Sequence, residues 1–273
     1  MDKNITIQDN GILSKVKKFI LDNKNYVIIA LLILFVIIIT YKFSDYNVNN
    51  NALNKIETNL LVKNVLQKDY CHNKLKYNKL CDYFVKSAAK PYLTGIQNFG
   101  HISLEVIEKL LYIGVRYLDI NIFSESFSSD TEPVIAPGEK IGEWKKSQNI
   151  IYVKDFFKLI ADVAFSEKHL NNYKDPLFIF LNIKTNNKVT LDKVYDIIMS
   201  TLNNKLLGKK YKNQKQNIAT TTMCNLMNKL VIFSSDGYQN SKLEELINLS
   251  TNKTSLKRLK FSEFEKLTNK TSN

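Results

Sequence analysis

The chain has 273 residues, enough for one domain with a real core even after a membrane segment is set aside. Its 39 Lys and Arg against 26 Asp and Glu leave a formal charge of +13, but the lysines are spread along the chain and no nucleic-acid module accompanies them, so no nucleic-acid partner is expected. The heavy use of Asn, Lys and Ile reads as a genome-level bias, which leaves an anionic membrane surface as the partner that the charge still permits.

Tyr26 to Tyr41 form an uncharged, almost wholly apolar run between Lys24 and Lys42. At a rise of about 1.5 Å per residue, residues 25–43 just cross a hydrocarbon core of about 30 Å, with Tyr26, Tyr41 and Phe43 at the interfaces. A buried soluble helix would need a polar stripe, and this run has none. The long polar stretch before it and the lack of a small-residue cleavage site argue against a signal peptide. The expectation is a tail over 1–24 and a transmembrane helix over 25–43.

Lys15, Lys17, Lys18 and Lys24 precede the run and only Lys42 and Lys55 follow it closely, which favours a cytoplasmic N-terminus and a C-terminal part facing a lumen or the exterior. Asn248, Asn252 and Asn269 begin glycosylation sequons. Cys71 and Cys81 are close enough to bridge or to remain as two thiols, with Cys224 left over as a small buried hydrophobe.

Residues 44–81 read as a tether and lead-in: Asp45 to Asn54 is polar and Asn-rich, and Leu53 to Gln67 carries Ile56, Leu60, Val62 and Leu66 at helical spacing. From Asp82 strands and helices alternate. Strands are expected over Tyr83–Ala89, Tyr117–Phe123, Pro133–Ala136, Leu177–Ile183 and Leu230–Ser234. Helices are expected over Leu104–Ile113, Val153–Phe165 and Leu191–Leu207. This order argues for a parallel α/β sheet or barrel, with too few strands for a complete eightfold barrel.

Four landmarks stand in order along this region: SAAKPYLTG (Ser87 to Gly95), GVRYLDINIF (Gly114 to Phe123), EPVIAPG (Glu132 to Gly138) and DPLFIFLNI (Asp175 to Ile183). Together they resemble the X region of phosphatidylinositol-specific phospholipase C, over a domain set at 82–265 and followed by a tail at 266–273. The resemblance implies a partial or distorted barrel of the TIM type, with its site at the C-terminal ends of the strands. It also implies calcium-assisted cleavage of a phosphodiester by two histidines, one stabilising the phosphoryl transition state and one moving protons.

Carried over position by position, the two histidines fall on Ala89 and Pro137, neither of which can exchange a proton. The family's calcium ligands fall on Lys90, Asp119, Asn121 and Asn182, a set with one carboxylate, so no calcium and no other cofactor is expected. Lys90 beside Asp119 reads as a structural ion pair at the barrel mouth, with a built-in cation in place of the metal as the alternative. His101, Asp119 and Arg116 are the alternative catalytic groups, and Lys90, Arg116 and Lys184 the candidate ligands of an anionic headgroup. His72 and His169 match no family position.

The Ser-rich loop at Ser124, Ser126, Ser128 and Ser129 lacks a nucleophile elbow and reads as a turn. The lysines of Lys205 to Lys215 read as a solvated helix end, or as a surface for phosphate or anionic lipid. Trp144 is expected to line the site's mouth or to anchor its loop. The function expected from the whole is a membrane-anchored phospholipase-C-like domain without catalysis, binding an inositol phosphate headgroup or a protein. The alternatives are an active phosphoric diester hydrolase with a rearranged site, and a structural protein of a viral or intracellular membrane.

Overall fold

The computed structural model describes residues 10–57, 77–95, 100–214 and 217–250, and the chain divides into two compact units, Met1–Val48 and Asn49–Asn273. In the first unit, α1 (Asn10–Asp22) is followed by α2 (Lys24–Glu57), which runs on into the second unit. Among the described residues no single helix is long and apolar enough to cross a membrane; Lys15–Asp22 and Lys24–Thr40 pass that test only as a pair, bent by 87°. At the break, both the backbone N–H and the Nδ2 of Asn23 donate to the Phe19 carbonyl at 3.0 Å, a side-chain competition that bends helices.

The Asn-rich stretch expected to be a tether is helical as far as Glu57. No Gly or Pro lies between Lys24 and Glu57, and each Asn costs a helix well under about 1 kcal/mol, so propagation continues. Ile56 packs on the core of the second unit. The rest of the lead-in helix, with Cys71 and His72, lies outside the described residues.

The second unit is a mixed α/β fold. Its strands are β1 (Ser87–Ala89), β2 (Tyr117–Ser124), β3 (Pro133–Ile135), β4 (Ile151–Tyr152), β5 (Leu177–Ile183), β6 (Leu230–Ser234) and β7 (Leu249–Ser250). They form one sheet in the order β4-β3-β2-β5-β6-β7, with β1 also on β2. The pairs β1–β2, β2–β5, β5–β6 and β6–β7 are parallel, and the pairs made by β3 are antiparallel. Among the described residues the sheet does not close, so in place of the barrel expected from the resemblance they form an open mixed sheet.

Helices α3 (Leu104–Tyr112) and α5 (Lys188–Leu202) connect successive parallel strands. Ser103 caps α3 by accepting from the Glu105 N–H. Gly114 ends it with φ +89, and its N–H reaches the Leu111 carbonyl, a turn that only Gly makes without strain. Helix α4 (Val153–Leu159) continues as a π-helical turn over Ile160–Ala164, so the helix expected at Val153–Phe165 is present in two geometries. The helix expected to run to Leu207 stops at Leu202. The two-residue strands β4 and β7 and the short helix α6 (Met223–Leu226) were not expected, being shorter than a period.

Strand side chains alternate in direction. Leu118, Ile120, Ile122, Ile179, Leu181 and Ile232 join the helices in the main core, while Phe178 and Val231 pack with Tyr117 and Phe233 in a second cluster. Asp119, Asn121 and Asn182 share this second set's parity, nearer the C-terminal strand ends. That is how one face comes to hold an apolar floor and a polar rim.

Cys81 is free and exposed, so the Cys71–Cys81 bridge is not made; Cys224 is the disulfide-bonded cysteine. Asn248 is buried, and its Oδ1 accepts from the Ile232 N–H at 2.9 Å. Burial of this side chain leaves its Nδ2 inaccessible to glycosylation in the folded chain. Asn252 and Asn269 lie outside the described residues.

Candidate functional site

The register sets the site. Ala89 of β1 faces Asp119 of β2, Asp119 faces Phe180 of β5, and Asn121 faces Asn182. Lys90 follows with φ +49, a left-handed conformation that the family's Asn tolerates and that costs Lys about 1–2 kcal/mol. Its N–H donates to the Asp119 carbonyl at 2.9 Å. The buried Tyr92 then reaches across, its hydroxyl donating to the Ala136 carbonyl at 3.1 Å. These two bonds tie the loop after β1 to β2 and to the loop after β3. The positions matching the two histidines, the exposed Ala89 and the buried Pro137, are thereby fixed around Asp119.

Asn121 has no exposed surface. Its Nδ2 donates to the Gly138 carbonyl at 2.7 Å, and its Oδ1 accepts from Asn182 Nδ2 at 3.0 Å. A carbonyl can only accept, so the orientation of the Asn121 amide is settled by Gly138. Gly138, at φ +147, makes this approach possible: a Cβ there would lie 2.9 Å from the Glu143 carbonyl oxygen. Two neutral carboxamides thus close on each other where the family has carboxylates.

Lys90 ion-pairs directly with Glu139, rather than with Asp119 as expected. Asp119 feels that ammonium through space. Its carboxyl is nevertheless held above the usual carboxylate range, first by burial and then by the nearby Glu139, against the pull of Lys90 and Lys184. Its Oδ1 is buried without a hydrogen-bond partner among the described residues. Glu143 accepts from the N–H groups of Glu139 and Lys140 and from Lys146, which lowers its pKa to about 2 and fastens the loop that carries Glu139.

The family's calcium does not fit these residues. One carboxylate remains, both amides are turned to each other and to a main-chain carbonyl, and the fourth position carries an ammonium already paired with Glu139. A hard cation needs six to eight oxygens, several of them charged.

Arg116 is not at the site. Its guanidinium is buried, with Nη1 donating to Ala164 at 2.9 Å and Nη2 to the Asn172 carbonyl. Burial lowers its pKa to about 10. It is a cross-brace beneath the strands, because it stands just before β2, at the N-terminal end of the strand and away from the C-terminal ends that carry the polar rim. Asp175 beside it is raised to about 6 by burial.

His101 offers its carbonyl to Thr94 Oγ1 at 2.6 Å, and no described contact brings its ring to Asp119. His169 Nδ1 meets the Tyr112 hydroxyl at 3.2 Å, on the helix layer. Lys184, just beyond β5, lines a cleft of 180 Å³ with Ser124, Phe127, Trp144, Thr185 and Asn187. The Ser-rich loop is pinned to that wall. Ser124 Oγ meets Thr185 and Thr190 at 2.6 and 2.8 Å, Asn187 Nδ2 donates to the Ser128 and Ser129 carbonyls, and Lys193 pairs with Asp130 and Glu132. Sequence reasoning missed Glu139 and Tyr92. Glu139 follows Gly138 directly, and Tyr92 stands in the first landmark, but only the fold shows what each one touches.

Polar residues are gathered at the C-terminal ends of parallel strands, around a conformationally strained loop, the place where α/β proteins commonly carry their sites. Residues 77–236 match the family model described as phosphatidylinositol-specific phospholipase C, X domain, and the chain belongs to that family. It is 30% identical over 87 residues to the 1-phosphatidylinositol 4,5-bisphosphate phosphodiesterase beta egl-8 of Caenorhabditis elegans, a match that covers 32% of this chain and 6% of that protein. Among solved structures it is similar to L. pealei PLC21, with a TM-score of 0.47 and 19% identity over 62% of this chain and 20% of that one. It is also similar to the calcium-dependent phosphoinositol-specific phospholipase C of Pseudomonas sp, with a TM-score of 0.42 and 12% identity over 65% of this chain and 68% of that one.

Proposed function

We propose that this chain is a membrane-anchored X-type domain that has given up phosphodiester cleavage and acts by binding an anionic headgroup of the inositol phosphate class at its strand ends. The observation that carries the proposal is the tied arrangement of Ala89, Asp119 and Pro137. Where a proton must be taken from a hydroxyl and given to a leaving group, the loops hold a methyl and a pyrrolidine. Loss of general acid–base help costs about 10² to 10⁴ in rate, and no histidine replaces it among the described residues around Asp119. Lys184 beside the cleft supports anion binding, with Lys90 as a second cation shared with Glu139.

Anchoring is supported by α2, whose apolar residues from Ile28 to Ile39 are largely exposed around the helix, as lipid-facing residues are. The lysines before it support a cytoplasmic N-terminus and a lumenal or exterior domain. The disulfide of Cys224 is in keeping with an oxidising compartment.

The test uses the full chain in vesicles containing phosphatidylinositol, with and without calcium. No turnover beyond that of Asp119→Asn is expected; turnover that disappears in Asp119→Asn would instead mean an active enzyme with a rearranged site. Calorimetric titration with inositol trisphosphate should give binding that weakens with salt and with Lys184→Ala. No heat at millimolar ligand would remove the headgroup and leave a protein surface as the ligand.

A further inference from the structure

The amphipathic helix α1 takes no part in the site, and it stands at 87° to the apolar helix that follows it. At 3.6 residues per turn, Phe19, Val16 and Ile20 fall within an arc of about 100°, with Lys15 about 40° beyond one edge and Lys17 about 60° beyond the other. These three side chains are exposed, at 66%, 49% and 44%; Leu21, exposed at 64%, lies about 100° beyond the Ile20 edge and outside the arc. Lys15, Lys17, Lys18 and Lys24 are exposed as well. Asp22 is the sole acidic residue from Lys15 to Lys24, and none of these lysines is in an ion pair among the described residues.

We propose that α1 is an in-plane membrane helix. It lies on the leaflet at the N-terminal side of α2, with Val16, Phe19 and Ile20 at the top of the acyl chains and its lysines on anionic phospholipid headgroups. This rests on the anchoring of α2 proposed above and adds a lipid class to it. Three features on one element carry the proposal. The right angle puts α1 parallel to the bilayer surface when α2 stands along its normal. Lysines on both borders of the apolar arc let their stems lie on the surface while the ammonium groups reach the headgroups. The fourfold Lys excess over a single Asp complements an anionic leaflet, to which each juxtamembrane lysine contributes about a fivefold gain in partitioning. A second copy of the chain would present the same positive charge and repel it.

The test follows the full chain in vesicles of phosphatidylcholine alone or with phosphatidylserine. Trp144→Phe removes the sole Trp, and Phe19→Trp places one in α1. Lipids brominated near the headgroup or deep in the acyl chain then report its depth by quenching. With phosphatidylserine, strong shallow quenching is expected. It should fall at least severalfold in phosphatidylcholine alone, in high salt, or with Lys15, Lys17 and Lys18 all changed to Gln.

Deep quenching would make α1 part of a bent span and overturn the proposal. A water-exposed indole would overturn it too, as would a shielded indole that no brominated lipid quenches, which would indicate another copy covering the arc. Shallow quenching that ignores phosphatidylserine would overturn the anionic partner. Alkaline extraction of the same vesicles separates the two levels: chain that washes off refutes the anchor itself, while chain that stays with the introduced indole exposed to water refutes only the in-plane helix.

Discussion

Restoring a carboxylate to the amide pair by Asn121→Asp tests whether the site has been rebuilt as a neutral hydrogen-bonded lock. Asn121 is fully buried and donates to the Gly138 carbonyl at 2.7 Å. An aspartate there can keep that bond only as a protonated acid, so its folded pKa must rise above the unfolded value of about 3.9. A carboxyl with a raised folded pKa contributes its stability below the unfolded pKa and loses it as pH rises through the folded one. The variant should therefore match the parent near pH 4 and fall behind above it.

Holding the acid protonated at pH 7 costs up to about 1.36 kcal/mol for each of roughly three pH units, or about 4 kcal/mol. For a unit of this size that lowers Tm by roughly 8–16 °C. Thermal unfolding of the full chain in detergent, from pH 4 to 8 and with or without millimolar calcium, measures this. Calcium should leave the parent's Tm unchanged, since a cation present at a hundred times its Kd would add about 2.7 kcal/mol. An Asn121→Asp protein as stable as the parent at pH 7 without calcium, or a parent stabilised by calcium, would refute the neutral lock.

Asp119→Asn should stabilise the fold at pH 7, because burial holds this carboxyl above its usual range; the gain should vanish below about pH 4, where the unfolded group is protonated too. A variant less stable than the parent at pH 7 would mean that Lys90 and Lys184 outweigh burial. Gly138→Ala is expected to cost about 1–3 kcal/mol, since its Cβ meets the Glu143 carbonyl at φ +147, and calorimetric unfolding reads it directly. Ala89→His with Pro137→His should show no phosphatidylinositol turnover, because three of the four metal positions stay neutral or cationic and Asp119 is the one carboxylate among them; measurable cleavage would reveal a site more complete than its side chains indicate. Cys81 should react with maleimide in the native chain while Cys224 reacts only after reduction, as peptide mapping would show.

The apolar core of β2, β5 and β6, the helices between them and the order of the four landmarks were legible from the sequence. Periodicity and turn chemistry act locally, and buried parallel strands are written as long apolar runs. Other features depended on side chains meeting across many residues. The sequence could place Arg116 beside the family's active face, but only the sheet shows it bracing Ala164 and Asn172 beneath the strands. It could suggest Lys90 beside Asp119, but the loop held by Glu143 brings Glu139 to that ammonium first. Cys81, ten residues from Cys71 in sequence, is free, and Asn248, which carries a sequon, is buried with its Oδ1 accepting from β6. The sequence determined which groups were present. Tertiary packing decided which of them face each other, because strand parity, loop closure and burial act at distances that local pattern does not encode.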